Sequence, residues 1–167
     1  MVEIKPPSTY AVHGGYKIFL AGSIEMGTAE DWQTKVAKAF EGMKGVFILN
    51  PRRDDWDSSW KQSIEDPKFM EQVSWELSSL ENADLIVYYF VPGTQSPISL
   101  LELGLYANTG KMIMVCCPEG FWRKGNVDIV CDRYSVPTYE NIDYMINDLV
   151  KYVPIWMGKP TKPVDSE

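Results

Sequence analysis

"ADLIVYYFVPGTQSPISLLELGLYA", residues 83–107, decides how this chain folds. Residues 83–90 are almost wholly apolar, as in a strand covered on both faces. Residues 91–95, "VPGTQ", read as a turn, and an apolar helix follows over 97–109, ending near Gly110. A buried strand that turns sharply into a covering helix is half of a βαβ unit. One residue in that helix is out of place. Glu102 sits among Leu100, Leu101, Leu103 and Leu105. About one and a half turns into a helix that starts at a strand's carboxyl edge, its carboxylate can reach a ligand crevice or face solvent. Spacing alone leaves both readings open, although the leucines leave only a narrow outer stripe for it.

The same alternation extends in both directions. "YKIFLAG", residues 16–22, is a first buried strand, and a helix over about 29–41 follows, with Thr28 as its expected cap. Trp32, Val36, Ala39 and Phe40 form its apolar stripe. "GVFILN", 45–50, is a second strand stopped by Pro51, and a long polar loop with two tryptophans leads to a helix over 68–82. After the opening stretch, "KMIMVCC" at 111–117 is a fourth strand. Residues 118–134 read as irregular, 134–136 as a weak fifth strand and 139–152 as a last helix. Residues 1–15 read as an N-terminal arm, 16–157 as one domain and 158–167 as a flexible polar tail. The expected fold is therefore α/β, a flavodoxin-like doubly wound five-stranded parallel sheet in the order 2-1-3-4-5. Ligands in such sheets bind beyond the carboxyl ends of the strands, near the switch point. That rule selects Gly22 to Gly27, Asn50 to Trp60, Val91 to Glu102 and Pro118 to Asn126.

Bulk properties narrow the function. The 167 residues carry a net charge of -7, with 45% hydrophobic and 23% charged residues. An acidic chain lacks the basic face that a nucleic-acid binder needs, but a small nucleoside or nucleotide requires only a local pocket. No apolar run is long enough to cross a bilayer, and the first residues lack a signal-peptide core; a cytoplasmic setting is expected. Cys116, Cys117 and Cys131 lack metal-ligand spacing, and the one histidine, His13, falls in the arm. No metal and no cofactor are expected.

Four constellations could carry chemistry. "FLAGSIEMG", 19–27, runs from a strand into a small-residue turn: Gly22 lets another group approach the backbone and Ser23 offers a hydroxyl. Its spacing does not fit the dinucleotide fingerprint. "NPRRDDWDSSW", 50–60, offers Asn50, Arg52 and Trp56, able to read or stack on a base, or else forms a solvated charged loop with its tryptophans tucked inward. Glu76 lies on the preceding helix, in phase with Val73 and Leu80. Paired with Glu102 it would supply the two acids that glycosidic-bond chemistry uses; alone it is a surface acid. Arg123 and Lys124 could meet a phosphate or face solvent.

"FLAGSI" after a first strand, an acid in the helix before "ADLIV", and "SPISLLELGLYANTGK" together resemble the nucleoside 2-deoxyribosyltransferase family, which includes nucleoside 5'-monophosphate N-glycosidases. The resemblance runs from about Lys17 to Val127, with "LLELGLYA" its strongest element, and is that of a divergent branch. It implies that Glu102 is the nucleophile of a covalent glycosyl-enzyme and that Glu76, where the family usually has aspartate, helps protonate the base. Gly22 and Ser23 match the turn beside the sugar. Ser96 stands where deoxyribosyltransferases tend to carry aspartate and the monophosphate hydrolases serine. Asn126 matches an asparagine that a neighbouring subunit lends, which implies a homo-oligomer. Transfer to a second base, hydrolysis, and mere nucleotide binding on the same fold all follow from this resemblance as alternatives. A receiver-like signalling domain does not, because the strand ends "AGS" and "FVPGT" lack its acids.

Overall fold

The computed structural model describes residues 1–8, 14–25, 29–57 and 59–158. Thr28 and His13 lie outside the described residues. The elements run β1 (Val2–Ile4), β2 (Tyr16–Gly22), α1 (Trp32–Ala39), β3 (Val46–Leu49), α2 (Pro67–Asn82), β4 (Leu85–Tyr89), α3 (Pro97–Tyr106), β5 (Met112–Cys116), α4 (Lys124–Arg133), β6 (Thr138–Tyr139) and α5 (Ile142–Met157). All strand pairs are parallel, in the order β1-β3-β2-β4-β5-β6.

The expectation of five strands is corrected to six. The five expected strands keep their relative order, and the stretch read as an arm adds an edge strand: Val2, Glu3 and Ile4 pair with Phe47, Ile48 and Leu49. The ladder continues beyond it, where Asn50 N–H donates to Ile4 O at 2.9 Å. Three residues are too few to show a period of two, so no pattern announced this strand.

Strand alternation divides the core into two layers. Ile18, Leu20, Leu85, Val87 and Met114 face α1 and α5, meeting Trp32, Val36, Met145 and Leu149. Phe19, Ala21, Ile86, Tyr88, Ile113 and Val115 face α2, α3 and α4, meeting Trp75, Leu80, Leu103 and Val127. Asp31 caps α1, accepting from Thr34 N–H at 3.1 Å, and Asp66 caps α2, accepting from Lys68 and Phe69 N–H with Pro67 at the first helical position.

Three other expectations need correction at the C-terminal side. Residues 118–134 are not irregular throughout: α4 forms there because Val127 and Cys131, four apart, both bury against the sheet. The last strand is Thr138–Tyr139, not 134–136. Tyr134 ends α4 and Ser135 takes the left-handed conformation (φ 55°), so pairing with β5 starts only when Val115 N–H donates to Pro137 O. Helix α5 continues through Pro154 to Met157, where the sequence suggested an end near 152. Val153, fully buried, and Trp156 pack on the core and hold that last turn despite the hydrogen bond that Pro154 cannot make.

Candidate active site

By the switch-point rule the ligand crevice belongs where β2 and β4 end. Gly22, at the end of β2, has φ 135°, and a Cβ there would stand 2.3 Å from Tyr89 O. What approaches this backbone is the neighbouring strand, so the glycine is required by sheet geometry. Its carbonyl accepts from Ser99 Oγ at 2.9 Å, tying β2 to the inner face of α3.

Ser23 is fully buried and organises the turn after β4. Its Oγ accepts from Val91 N–H at 2.9 Å and lies 2.7 Å from both Thr94 Oγ1 and Ser96 Oγ. Thr94 donates to Val91 O at 2.8 Å, so only the Ser23 and Ser96 hydroxyl protons remain to link the three oxygens. Glu25 completes this corner. Its Oε1 accepts from the N–H groups of Gln95 (2.9 Å) and Ser96 (2.8 Å). Ser96 itself sits in the left-handed region (φ 46°) immediately before Pro97 opens α3. Three polar contacts therefore set where α3 begins, and with it where Glu102 stands.

Helix α3 presents Ser99, Glu102 and Leu103 inward and Ile98, Leu101 and Leu105 outward. The arrangement inverts the usual amphipathic rule: the acid is inside, at 7% exposure, and leucines are outside. Burial pushes the Glu102 carboxyl up to about 8, and the charge of Glu76 adds to the push. Glu76, half-buried on α2, is pushed up to about 7 by burial; the Gln72 Nε2–H it accepts at 2.8 Å acts in the opposite direction. No described residue donates a hydrogen bond to Glu102. Ser96 gives it no hydrogen bond, since its hydroxyl is engaged with Ser23 and Thr94. Two interacting carboxyls that both resist ionisation can share a proton near neutral pH.

The remaining site residues divide. Asn50 is fully buried with both ends of its amide engaged, Nδ2 donating to Glu3 and Oδ1 accepting from Arg52 N–H. Arg52 reaches back to Gln33 Oε1, Ala29 O and Glu30 O. Both hold the loops around the crevice together. Trp56 packs edge-on against Trp60, whose ring also carries Arg53 and Lys68, so the loop is strapped to the start of α2. Asn126 is exposed on α4, in a groove of about 320 Å³ between α3 and α4 lined by Leu100, Leu103, Gly104 and Val130. It does not join Glu102 and Glu76 within one chain. Lys124 is neutralised by Asp128 and Glu140, at 3.0 and 2.6 Å.

Residues absent from the sequence-based candidates also build the site. Glu25, Thr94 and Ser99 fix the corner, and no spacing rule marks them. Gln72 was within reach of one: it lies four residues before Glu76 on the same helix, the spacing at which side chains meet. Tyr88 is fully buried beside α3, its hydroxyl has no partner among the described residues, and the Glu102 charge helps raise it.

This geometry can be set beside known proteins. No curated protein sequence matches the chain significantly. Thirteen chains of solved structures do match. One is a conserved protein from Enterococcus faecalis V583, with a TM-score of 0.59 and 12% identity, aligned over 83% of this chain and 99% of the other. At that identity the likeness shows the fold. A family model described as "Nucleoside 2-deoxyribosyltransferase like" matches residues 15–121, the stretch from before β2 through β5 that carries every contact of the corner and both Glu76 and Glu102. The chain belongs to the nucleoside 2-deoxyribosyltransferase-like family.

Proposed function

We propose that this chain cleaves the N-glycosidic bond of a nucleoside and transfers the sugar to another base through a glycosyl-Glu102 intermediate. The observation that carries the reading is Glu102, turned inward on an apolar helix and near enough to Glu76 for that carboxylate's charge to add to the push of burial. In the first half-reaction the C1'–N bond breaks and its electron pair stays on the base. Glu76 gives its proton to a base nitrogen or oxygen. A Glu102 oxygen forms a bond to C1', collapsing the oxocarbenium-like charge into an ester. In the second half a new base attacks C1', the ester electrons return to Glu102, and the incoming base loses its proton to Glu76. Water in place of the base gives hydrolysis by the same steps.

The substrate is read as unphosphorylated. The N–H groups of Gln95 and Ser96, placed to hold an anion, already bind the Glu25 carboxylate, and Lys124 has its charge matched by Asp128 and Glu140. Ser96, in the position where monophosphate hydrolases tend to have serine, favours the alternative of a 5'-monophosphate N-glycosidase. Asn126, exposed on α4, suits a role in a neighbouring copy's site, and a homo-oligomer is part of the proposal. Incubation of nucleosides and their monophosphates with and without an acceptor base, followed by chromatography, tests all of this. Exchange is expected with nucleosides, and free base alone would point to the hydrolase. Glu102→Gln should reduce either by at least ~10³-fold. A panel with no turnover at all would leave a nucleotide-binding module.

A further inference from the structure

The sheet has an unfinished edge. β6 is two residues long and pairs with β5 only at Val115 and Cys116. Beyond it, at the amino end of β5, lies a cavity of about 670 Å³. Ile113 lines it, together with Met112, Tyr134, Val136, Tyr152 and Trp156. Residues two apart in a strand turn their N–H and C=O to the same side. Val115 and Cys117 N–H donate to Pro137 O and Tyr139 O, so Ile113 also turns its pair toward the β6 side. Nothing meets it there. Its N–H would find the carbonyl of Ser135, but Ser135 is left-handed (φ 55°) and Val136 N–H turns back to Cys131 O at 2.9 Å. Its C=O would receive the N–H of residue 137, which is a proline and has none. Among the described residues neither group of Ile113 has a hydrogen-bond partner. Ile113 is 3% exposed, so a donor and an acceptor are left unpaired at the wall of a cavity of ligand size.

We propose that this cavity binds an uncharged planar heterocycle whose edge carries an acceptor beside an N–H, the edge that a purine nucleoside presents. The acceptor takes Ile113 N–H, and the neighbouring N–H donates to Ile113 C=O. The length of the free edge selects a heterocycle over a peptide strand. The N–H groups on either side are taken, Val115 N–H by Pro137 O and Lys111 N–H by Thr109 Oγ1 at 3.4 Å. One donor and one acceptor satisfy the edge of one ring, whereas an added strand needs a ladder. The walls supply the packing surface. Tyr134 is 43% exposed, and Tyr152 and Trp156 stack with ring centroids 5.9 Å apart. The ligand is uncharged because Lys111 is the one charged residue of the lining, and Glu81 O and Ala83 O already hold its ammonium at 2.7 and 3.1 Å. The volume accommodates two fused rings with a sugar. This site goes beyond the glycosyl-transfer reading, since neither Glu102 nor Glu76 lines the cavity.

The amide resonance of Ile113 reports on this site directly. Carbocyclic adenosine is the probe: it keeps the adenine edge and has no glycosidic bond for the chain to cleave. Titrated into the isotope-labelled wild-type chain, it should move the Ile113 resonance downfield, saturably, and slow its hydrogen exchange. The analogue with a dimethylamino group in place of the amino group lacks the N–H, and should bind at least ~10-fold more weakly at that resonance. Tyr134→Ala should weaken the probe by ~3–10-fold. The amides of Ser96 and Glu102, read in the same spectra, reveal any probe bound near the two acids instead. An Ile113 resonance that stays still overturns the proposal, whether the cavity holds water only or the probe binds elsewhere. So does a dimethylamino analogue that binds as tightly as its parent, or a Tyr134→Ala chain with wild-type affinity. Should the alanine variant not fold, the comparison of the two probes still decides. Failure of the transfer reading is separately visible: Glu102→Gln would then turn over like wild type, while the Ile113 result stands.

Discussion

A glutamate on the inner face of an apolar helix is a cost that folding alone would remove. Its carboxyl, like that of Glu76, is held above the ordinary glutamate range. The sign of the pH dependence follows. Below about pH 4 both groups are protonated in folded and unfolded chains alike, and stability is undiminished. As pH rises toward 7–8 the unfolded chain releases protons that the folded chain retains, and stability falls. Glu102→Gln removes this penalty. At pH 8 it should melt above the wild type by about 4–8 °C, the equivalent of ~2 kcal/mol in a chain of this size, with the difference vanishing near pH 4. Scanning calorimetry at the two pH values checks it, and a variant that melts below wild type at pH 8 contradicts the burial account. Activity should run the other way, lost while stability is gained. The rate itself should be bell-shaped in pH with its maximum between about 7 and 8. On the acid side a second proton quenches the nucleophile, and on the alkaline side none is left for the leaving base.

At the scale of elements, the βα turn that follows β4 is held from β2, and Gly22 is the point of closest approach. Gly22→Ala combines a φ of 135° with a Cβ 2.3 Å from Tyr89 O. A loss of about 2–4 kcal/mol is expected, with the melting point lower by roughly 5–15 °C. A neutral alanine would mean that β2 and β4 separate freely there. Removal of residues 1–4 should cost less, ~1–2 kcal/mol, because β1 contributes a three-residue ladder and the Glu3 contact to Asn50. Elements of this size also mark the border of what could be read in advance. Long periodic runs such as 83–90 and 68–82 announced themselves, since burial on one or two faces imposes a period. Three-residue β1 and two-residue β6 have no room for a period. Helix α4 buries Val127 and Cys131, with Val130 partly covered, within a polar stretch. Glu102 drew notice because a carboxylate among leucines violates a pattern, whereas Glu76 stood out only through its pairing with Glu102 and the family resemblance. Ser23 and Ser96 were candidates, but the bonds that join them to Thr94 and the Glu25 carboxylate that closes the corner were not legible. Their partners are some seventy residues apart in the chain.

For the whole molecule, the outer surface of α3 poses the remaining question. Ile98, Leu101 and Leu105 are 59%, 60% and 54% exposed and lie on one side of the helix, whose one charged residue, Glu102, points the other way. Trp122 and Ile129 are also exposed, and Arg123 lies over the Trp122 ring. A chain with net charge -7 repels its own copies over most of its surface. An uncharged apolar face is where that repulsion is weakest and the gain from excluding water greatest. We therefore expect two copies to meet across α3, a few residues from the crevice on the helix's other side. Light scattering should give twice the 19.0 kDa chain mass for the wild type and a single mass for Leu101→Glu. If Asn126 serves the neighbouring site, that monomer should also lose most of its transfer activity, and so should Asn126→Ala, which remains paired. Inactive Glu102→Gln chains mixed with Asn126→Ala chains should then recover activity. In the mixed pair the Asn126→Ala chain keeps its own Glu102 and receives Asn126 from its neighbour. A fully active monomer, or a mixture with no recovery, would confine each site to its own chain.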